Sequence, residues 1–427
     1  MTGSRGPRRV GALGRAGAAL LLLGAVLGPT ACARGEDREV VRVVGTWDGA
    51  ERDAFLAVVA PFEKRTGIDV RYEGTRDVSA VVAARVEDGD PPEIAILSSP
   101  GDLLEYAKTN RLAALDDIRP GYAPEWLTPG RVEGRQVAVL LKAALKSTIW
   151  FDPAKLAAVG AAVPSTWDAL LDTTAKLRAA GVTPWCLGLA SSTTSGWPGT
   201  DWVEDLVLAR SGPDVYDRWA DGDLAWNSPE IRAAWQAWGA LITPKGTIAG
   251  GTMSALLTDY AKASQVLSGD TSGCAFDHQG SFVSGAYAAD PSRPVPGVTY
   301  DVMPFPGFGR PAPREVAGDL GALFHDTPGA RALLGYLTTT GAQALWAESG
   351  TSLSPDPAVS ATVYTDDVTR GLAGELSSAT SIRFDASDRM PATMRSAFQR
   401  AVLAYVSDPA DLDRILGDLD QVRATAY

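Results

Sequence analysis

The sequence predicts an α/β protein built in two parts, and three observations carry that expectation. From Glu39 onward, short β-branched runs alternate with amphipathic segments of helical period. A long apolar stretch beginning at Arg131 interrupts the alternation, which restarts near Pro164. Beyond an N-terminal export segment the chain keeps about 395 residues, more than one hydrophobic core usually serves.

Taken in order, VVRVVG (Val40 to Gly45) reads as a buried strand. ERDAFLAVVAPFEKR then places Phe55, Val58, Val59 and Phe62 on one helical face, with charges on the other. DVRYEG is a strand, VSAVVAARVEDG a helix, EIAIL a strand and GDLLEYAKTN a helix. Strands joined by helices of this length form parallel β-α-β units with right-handed crossovers. Ligands of such sheets sit beyond the carboxyl ends of the strands. Those ends are Gly45-Thr46-Trp47-Asp48, Gly74-Thr75-Arg76-Asp77 and Ser98-Ser99-Pro100-Gly101, all rich in polar side chains.

RVEGRQVAVLLKAALKSTIWFDP carries the chain into the second part. PSTWDALLDTTAKLRAAG is a helix, with Ser165 and Asp168 spaced as a capping box. VTPWCLGL follows as a strand. Further helices are predicted at Thr200 to Arg210, Ser228 to Ile242, Gly329 to Ser349, Pro391 to Ser407 and Ala410 to Leu419. The proline-rich VMPFPGFGRPAP, Val302 to Pro313, reads as a second crossing.

Residues 1–31 read as an export signal. Arg5, Arg8, Arg9 and Arg15 precede the apolar run AGAALLLLGAVLG, which is too short to span a bilayer comfortably. Arg8-Arg9 is also the pair of a twin-arginine signal, though its flanks match poorly. Pro29-Thr30-Ala31-Cys32 resembles the lipobox of bacterial lipoproteins, which implies acylation at Cys32 and anchorage to the outer face of the cell membrane; plain secretion is the rival. Losing the signal removes four positive charges and no acid, taking the formal charge from −12 to −16. Nucleic acid is thereby disfavoured as a partner, since phosphates demand a basic footprint. Cys186 and Cys274 remain, an even pair in an exported chain, and a disulfide between them is expected rather than two buried thiols.

Several ordered motifs resemble one family. GTWDGAE, PFEKRTGIDV and PPEIAIL, then KSTIWFDP, VPSTWDALL, RAAGVTPW and GALFHDTPGARALLGYLTTTGAQALWAESG, are similar to the family 1 extracellular solute-binding proteins of ATP-driven importers. These are two-lobed receptors related to maltodextrin-binding protein. GWPGTDW, SGPDVYDRW and FDASDRMP resemble the branch associated with α-glucoside uptake. The resemblance implies a periplasmic-binding-protein-like fold with a hinge and an interlobe ligand cleft. It implies lobes of residues 38–145 plus 310–352 and of 146–309 plus 353–427. It also implies a carbohydrate ligand, ABC permease subunits as partners, a monomeric state and no cofactor. Ala317-Gly318-Asp319 departs from the family, where many members carry two glycines and a tryptophan, so a carboxylate replaces that aromatic platform.

Nine of the twelve tryptophans lie between Trp150 and Trp238. An indole offers a flat apolar face to the C–H face of a sugar and an N–H to its hydroxyls, while carboxylates and amides bind hydroxyl pairs. On that chemistry the candidate ligand contacts are Trp47, Asp48, Arg76, Asp77, Ser98, Ser99, Trp197, Asp201, Trp202, Asp277, Gln279 and Asp319. Trp167, Trp235 and Trp238 sit at core-like helical spacing instead. Catalytic signatures are absent from the sequence: no G-x-S-x-G, Walker-type loop, H-E-x-x-H or C-x-x-C. With only His278 and His325, a histidine-rich metal site or a catalytic triad has little material, and no metal ligand set is expected. The rival is an exported carbohydrate-active enzyme, because two carboxylates suffice for glycoside hydrolysis. A structural or adhesive surface protein is the third class, and it predicts no stoichiometric affinity for a small molecule.

Overall fold

The computed structural model describes residues 38–267, 273–288, 294–379 and 381–427. The export segment and Cys32 lie outside them.

The first half follows the predicted alternation: β1 (Val40–Gly45), α1 (Gly49–Thr66), β2 (Asp69–Gly74), α2 (Val78–Glu87), β3 (Ile94–Leu97) and α3 (Pro100–Lys108). β1 pairs in parallel with both β2 and β3. α1 buries Phe55, Val58, Val59 and Phe62 in one cluster with Val41 and Val43 of β1, so its apolar stripe fixes which face meets the sheet. Gly67, at φ 75°, ends this helix in the left-handed conformation that a side chain would resist.

A small hairpin of β4 (Arg131–Val132) and β5 (Arg135–Gln136) leads into β6 (Ala138–Leu145). Only Lys146 and Ser147 separate the described range of β6 from β7 (Thr148–Phe151), yet the two strands belong to different sheets. β7, β8 (Trp185–Cys186), β9 (Phe276–His278) and β10 (Asp301–Pro304) form a second sheet in the order β10-β7-β9-β8. β11 (Arg314–Leu323) then returns to the first sheet, antiparallel to β3 and β6, and β12 (Ile382–Phe384) joins it in parallel. Residues 353–427 are expected with the second lobe, but β12 hydrogen-bonds into the first sheet.

The second half departs further from the predicted pattern. β7 is antiparallel to both neighbours and only β8 and β9 run parallel. VTPWCLGL contributes a strand only at Trp185–Cys186. Thr166, not Ser165, caps the helix Trp167–Ala179, accepting the Ala169 N–H at 3.2 Å. Two helices, Pro328–Leu337 and Thr340–Glu348, replace the single one predicted from Gly329, because Thr339 caps a new start on the Ala342 N–H. The helices Trp197–Ser211, Pro229–Ile242, Ala392–Ser407 and Leu412–Ala426 pack around a core that holds Trp185, Trp202, Trp219, Trp226, Trp235 and Trp238. Most of the tryptophan-rich region is therefore packing: Trp219 meets Trp226 at 4.9 Å between ring centroids, and Trp226 meets Phe398 at 4.7 Å. The expected disulfide joins Cys186 to Cys274, with Cα atoms 5.3 Å apart. Among the described residues, no helix is long and apolar enough to cross a membrane.

Candidate functional site

A cavity of about 260 Å³ lies beyond the carboxyl ends of β1, β2 and β3, closed on the far side by segments that pack with the second sheet. Its two walls repeat one arrangement. On the first, Trp47 follows β1 and donates its Nε1–H to Asp319 Oδ2 at 2.6 Å. Lys142 Nζ stands 5.1 Å from the centre of the Trp47 ring and pairs with Glu51 Oε1 at 2.5 Å. Trp346 and Phe55 hold the indole from behind, at 5.0 and 5.3 Å. On the second wall, Lys146 Nζ stands 4.7 Å from the Trp197 ring and pairs with Asp201 Oδ2 at 2.6 Å. Tyr260 meets Trp197 edge-on at 4.9 Å, and Phe282 lies 5.8 Å away. Each wall thus holds an indole, a lysine against it and a carboxylate neutralising that lysine, but only Trp197 is partly exposed, whereas Trp47 is fully buried.

Direct contacts tie the walls together. Thr193 Oγ1 donates to Asp77 Oδ1 at 2.6 Å, Ser99 Oγ to the Asp388 carbonyl at 2.8 Å, and Arg395 to Asp102 Oδ1 at 2.7 Å. Burial controls the charges nearby. It lifts Asp201 to about 6 against the pull of Lys146. It raises Asp319 too, opposed by Lys142 and the Trp47 N–H. Burial also pushes Asp385 upward, but Lys146 and hydrogen bonds from neighbouring groups outweigh it and hold the group below its ordinary value. Burial weakens the charge on Lys146, yet Asp201 and Asp385 more than restore it.

Seven of the twelve candidate contacts line this cavity: Trp47, Arg76, Ser98, Ser99, Trp197, Asp201 and Asp319. Five do not. Asp48 is exposed and caps α1 on the Gly49 N–H. Asp77 is spent on Thr193 at the rim. Trp202 lies one residue past Asp201, so the helical turn swings it about 100° away. It packs against Trp185 at 4.9 Å and stacks on His278 at 4.3 Å. Asp277 is buried beside Tyr287, whose hydroxyl donates to it at 3.3 Å. Gln279 is buried as well, its carbonyl accepting from Thr148 and from the Trp150 indole. The chain after Cys274 reaches the cavity only further along, through Ser281, Phe282 and Ser284.

Lys142 and Lys146 were not among the candidates. Two lysines inside the apolar run LLKAALKST were the available signal, since a buried ammonium needs an acid beside it. Tyr260, Arg395 and Gln399 also line the cavity, from helices that no short motif marks.

The comparisons with known proteins agree with this architecture. Residues 47–344 match the family model described as bacterial extracellular solute-binding protein. The osmoprotective compounds-binding protein of Synechocystis sp. is 33% identical over 395 residues, covering 90% of this chain and 93% of the relative. The alpha-glucosides-binding periplasmic protein of Rhizobium meliloti is 28% identical over 398 residues, covering 89% and 86%. Among solved structures, a chitin oligosaccharide binding protein superposes with a TM-score of 0.78 at 18% identity, covering 91% of this chain and 99% of that one. The cyclic alpha-maltosyl-1,6-maltose binding protein from Arthrobacter globiformis superposes with a TM-score of 0.65 at 18% identity, covering 91% and 99%. These relatives and neighbours are solute-binding receptors, not enzymes. With its two sheets, its cavity between them and a family match over most of its length, the chain belongs to the bacterial extracellular solute-binding proteins, the sugar- and solute-capturing components of ABC importers.

Proposed function

We propose that this protein captures a short α-glucoside or related oligosaccharide in the cavity and delivers it to a membrane permease, without making or breaking a bond. The observation that carries this reading is the pair of facing walls, each with an indole and a charge-neutralised lysine. The partly exposed face of Trp197 suits the C–H face of a sugar ring, and lysine and carboxylate together bind its hydroxyls. Because each of these lysines is already paired, a neutral ligand needs no counter-charge. At about 260 Å³ the cavity falls just below the range of ordinary small-molecule pockets, which favours one or two sugar rings over a long chain. The name of one curated relative, an alpha-glucosides-binding protein, supports the same class.

Arg76, Ser98, Ser99, Trp197 and Asp319 are the proposed contacts among the sequence candidates, joined by Lys142 and Lys146; Trp47 and Asp201 are buried against those two lysines. In this reading the two sheets are the cores of two lobes. They rock about the crossings near residues 146–147 and 305–313 and close on the sugar. The chain acts as a monomer held outside the cell by a lipid on Cys32.

The test is a thermal-shift screen of purified protein against mono- and disaccharides, with recovery of the sugar afterwards. A ligand that binds the folded state stabilises it by about 2.7 kcal/mol at a hundredfold excess over its Kd. An α-glucoside should raise the Tm and be recovered intact. A panel that leaves the Tm unmoved eliminates carbohydrate as the ligand class.

A further inference from the structure

Behind the second wall, three acids from distant parts of the chain converge. Asp201 comes from the helix Trp197–Ser211, Glu315 from β11, and Asp385 from the turn that follows β12. They are 1%, 0% and 2% exposed, and one oxygen from each lies within 4.8 Å of the other two.

Hydrogen-bond accounting around these acids does not close. Asp205, on the same helix as Asp201, is satisfied by the Ser147 hydroxyl and by His278 Nε2. Asp385 Oδ1 accepts from the Ser387 hydroxyl and the Asp388 N–H, and its Oδ2 stands 3.3 Å from Lys146 Nζ. Glu204 Oε2 accepts the Ala386 N–H. Asp201 Oδ1, Glu204 Oε1 and both carboxylate oxygens of Glu315 have no hydrogen-bond partner among the described residues. Glu315 is not misplaced by a loose backbone. Its N–H donates to Ser147 Oγ at 2.6 Å, and its carbonyl accepts the Lys146 N–H at 2.8 Å. A carboxylate fixed in the interior with neither oxygen partnered is a costly arrangement unless something positive meets it.

Lys146 pairs with Asp201 and Asp385, and no basic side chain among the described residues pairs with Glu315. Oxygens bound to a common hard cation at 2.3–2.6 Å stand at most about 5 Å apart, so the observed spread is compatible with a shared ion. The donor set is all oxygen, which selects calcium-class ions over zinc or copper. We propose that Asp201, Glu315 and Asp385 bind one hard divalent cation of the calcium class. The ion fastens the helix of the second core to the strand that enters the first sheet and to the turn leaving it. No histidine or cysteine spacing marks this site in the sequence, where its acids stand far apart at positions 201, 315 and 385.

The experiment uses the whole mature protein, with metal content measured by plasma mass spectrometry and unfolding followed in EDTA and in Ca2+ at matched ionic strength. The expected result is one equivalent of cation per chain after desalting, with a Tm several degrees lower in EDTA that added Ca2+ restores. Glu315→Gln, which keeps the side chain's shape, should lose both the equivalent and the Ca2+ response. Asp201→Asn serves as a second variant with the same expectation. Only trace metal, with the same Tm in EDTA and in Ca2+, Mg2+ or Mn2+, overturns the proposal and leaves protons as what neutralises the cluster. Retention of the full equivalent by either variant overturns it as well.

Discussion

Trp197 and Trp202 belong to one helix, yet their substitutions should read out oppositely. Trp197 is partly exposed on the cavity wall, so Trp197→Ala should weaken sugar binding by tenfold or more, about 1.4 kcal/mol, with little change in Tm. Trp202→Ala should cost about 3–5 kcal/mol of stability, because it empties a fully enclosed site between Trp185 and His278. Calorimetric titration and urea unfolding of both variants check the pair. Asp277 gives a pH signature. Burial lifts its carboxyl from the ordinary 3.8 to about 6, against hydrogen bonds from Ser264 and Tyr287. The folded state therefore holds this proton more tightly than the unfolded chain, and stability falls as pH rises from about 4 to 6, then levels off. Asp277→Asn carries no such charge, so it should gain on the wild type across that window, by about 3 kcal/mol above pH 6, and match it below pH 4. Urea midpoints at pH 4, 5, 6 and 7.5 decide this; a variant no more stable than wild type at pH 7.5 contradicts it.

At the scale of elements, the link between β8 and the segment before β9 is covalent, and it closes a loop of 88 residues. Replacing Cys186 and Cys274 by alanine together should lower stability by about 4 kcal/mol on the chain-entropy account, measured as a lower urea midpoint with an unchanged fold by circular dichroism. The elements also show where sequence was readable. α1 puts Phe55, Val58, Val59 and Phe62 on one face and charges on the other, so its period was plain. The helix Trp197–Ser211 buries every residue from Pro198 to Ala209, so no polar stripe exists to set its phase. For that reason Trp197 and Asp201 were separable from Trp202 only in the fold. β8 and β9 span two and three residues, too short for an alternating pattern to register. Lys142 and Lys146 were visible as letters, but their partners Glu51, Asp201 and Asp385 are brought to them by tertiary structure.

The whole molecule places its two sheets on either side of the cavity, and Lys146 and Ser147 are all that separates β6 of one from β7 of the other. Arg395 reaches across to Asp102 and Ser99, so the walls are latched by side chains that also line the cavity. Removing that latch with Arg395→Met should favour opening. Small-angle scattering should then show a larger radius of gyration without sugar than the wild type has, with the difference shrinking when sugar is added. The central claim is that the cavity captures a sugar and returns it unchanged. Its most direct test is a calorimetric titration of the wild type and of Trp197→Ala with an α-glucoside, followed by chromatography of the sugar. The predicted result is one site per chain, an affinity at least tenfold weaker in the variant, and full recovery of intact glycoside. No heat with any carbohydrate, or sustained release of free glucose, would contradict it.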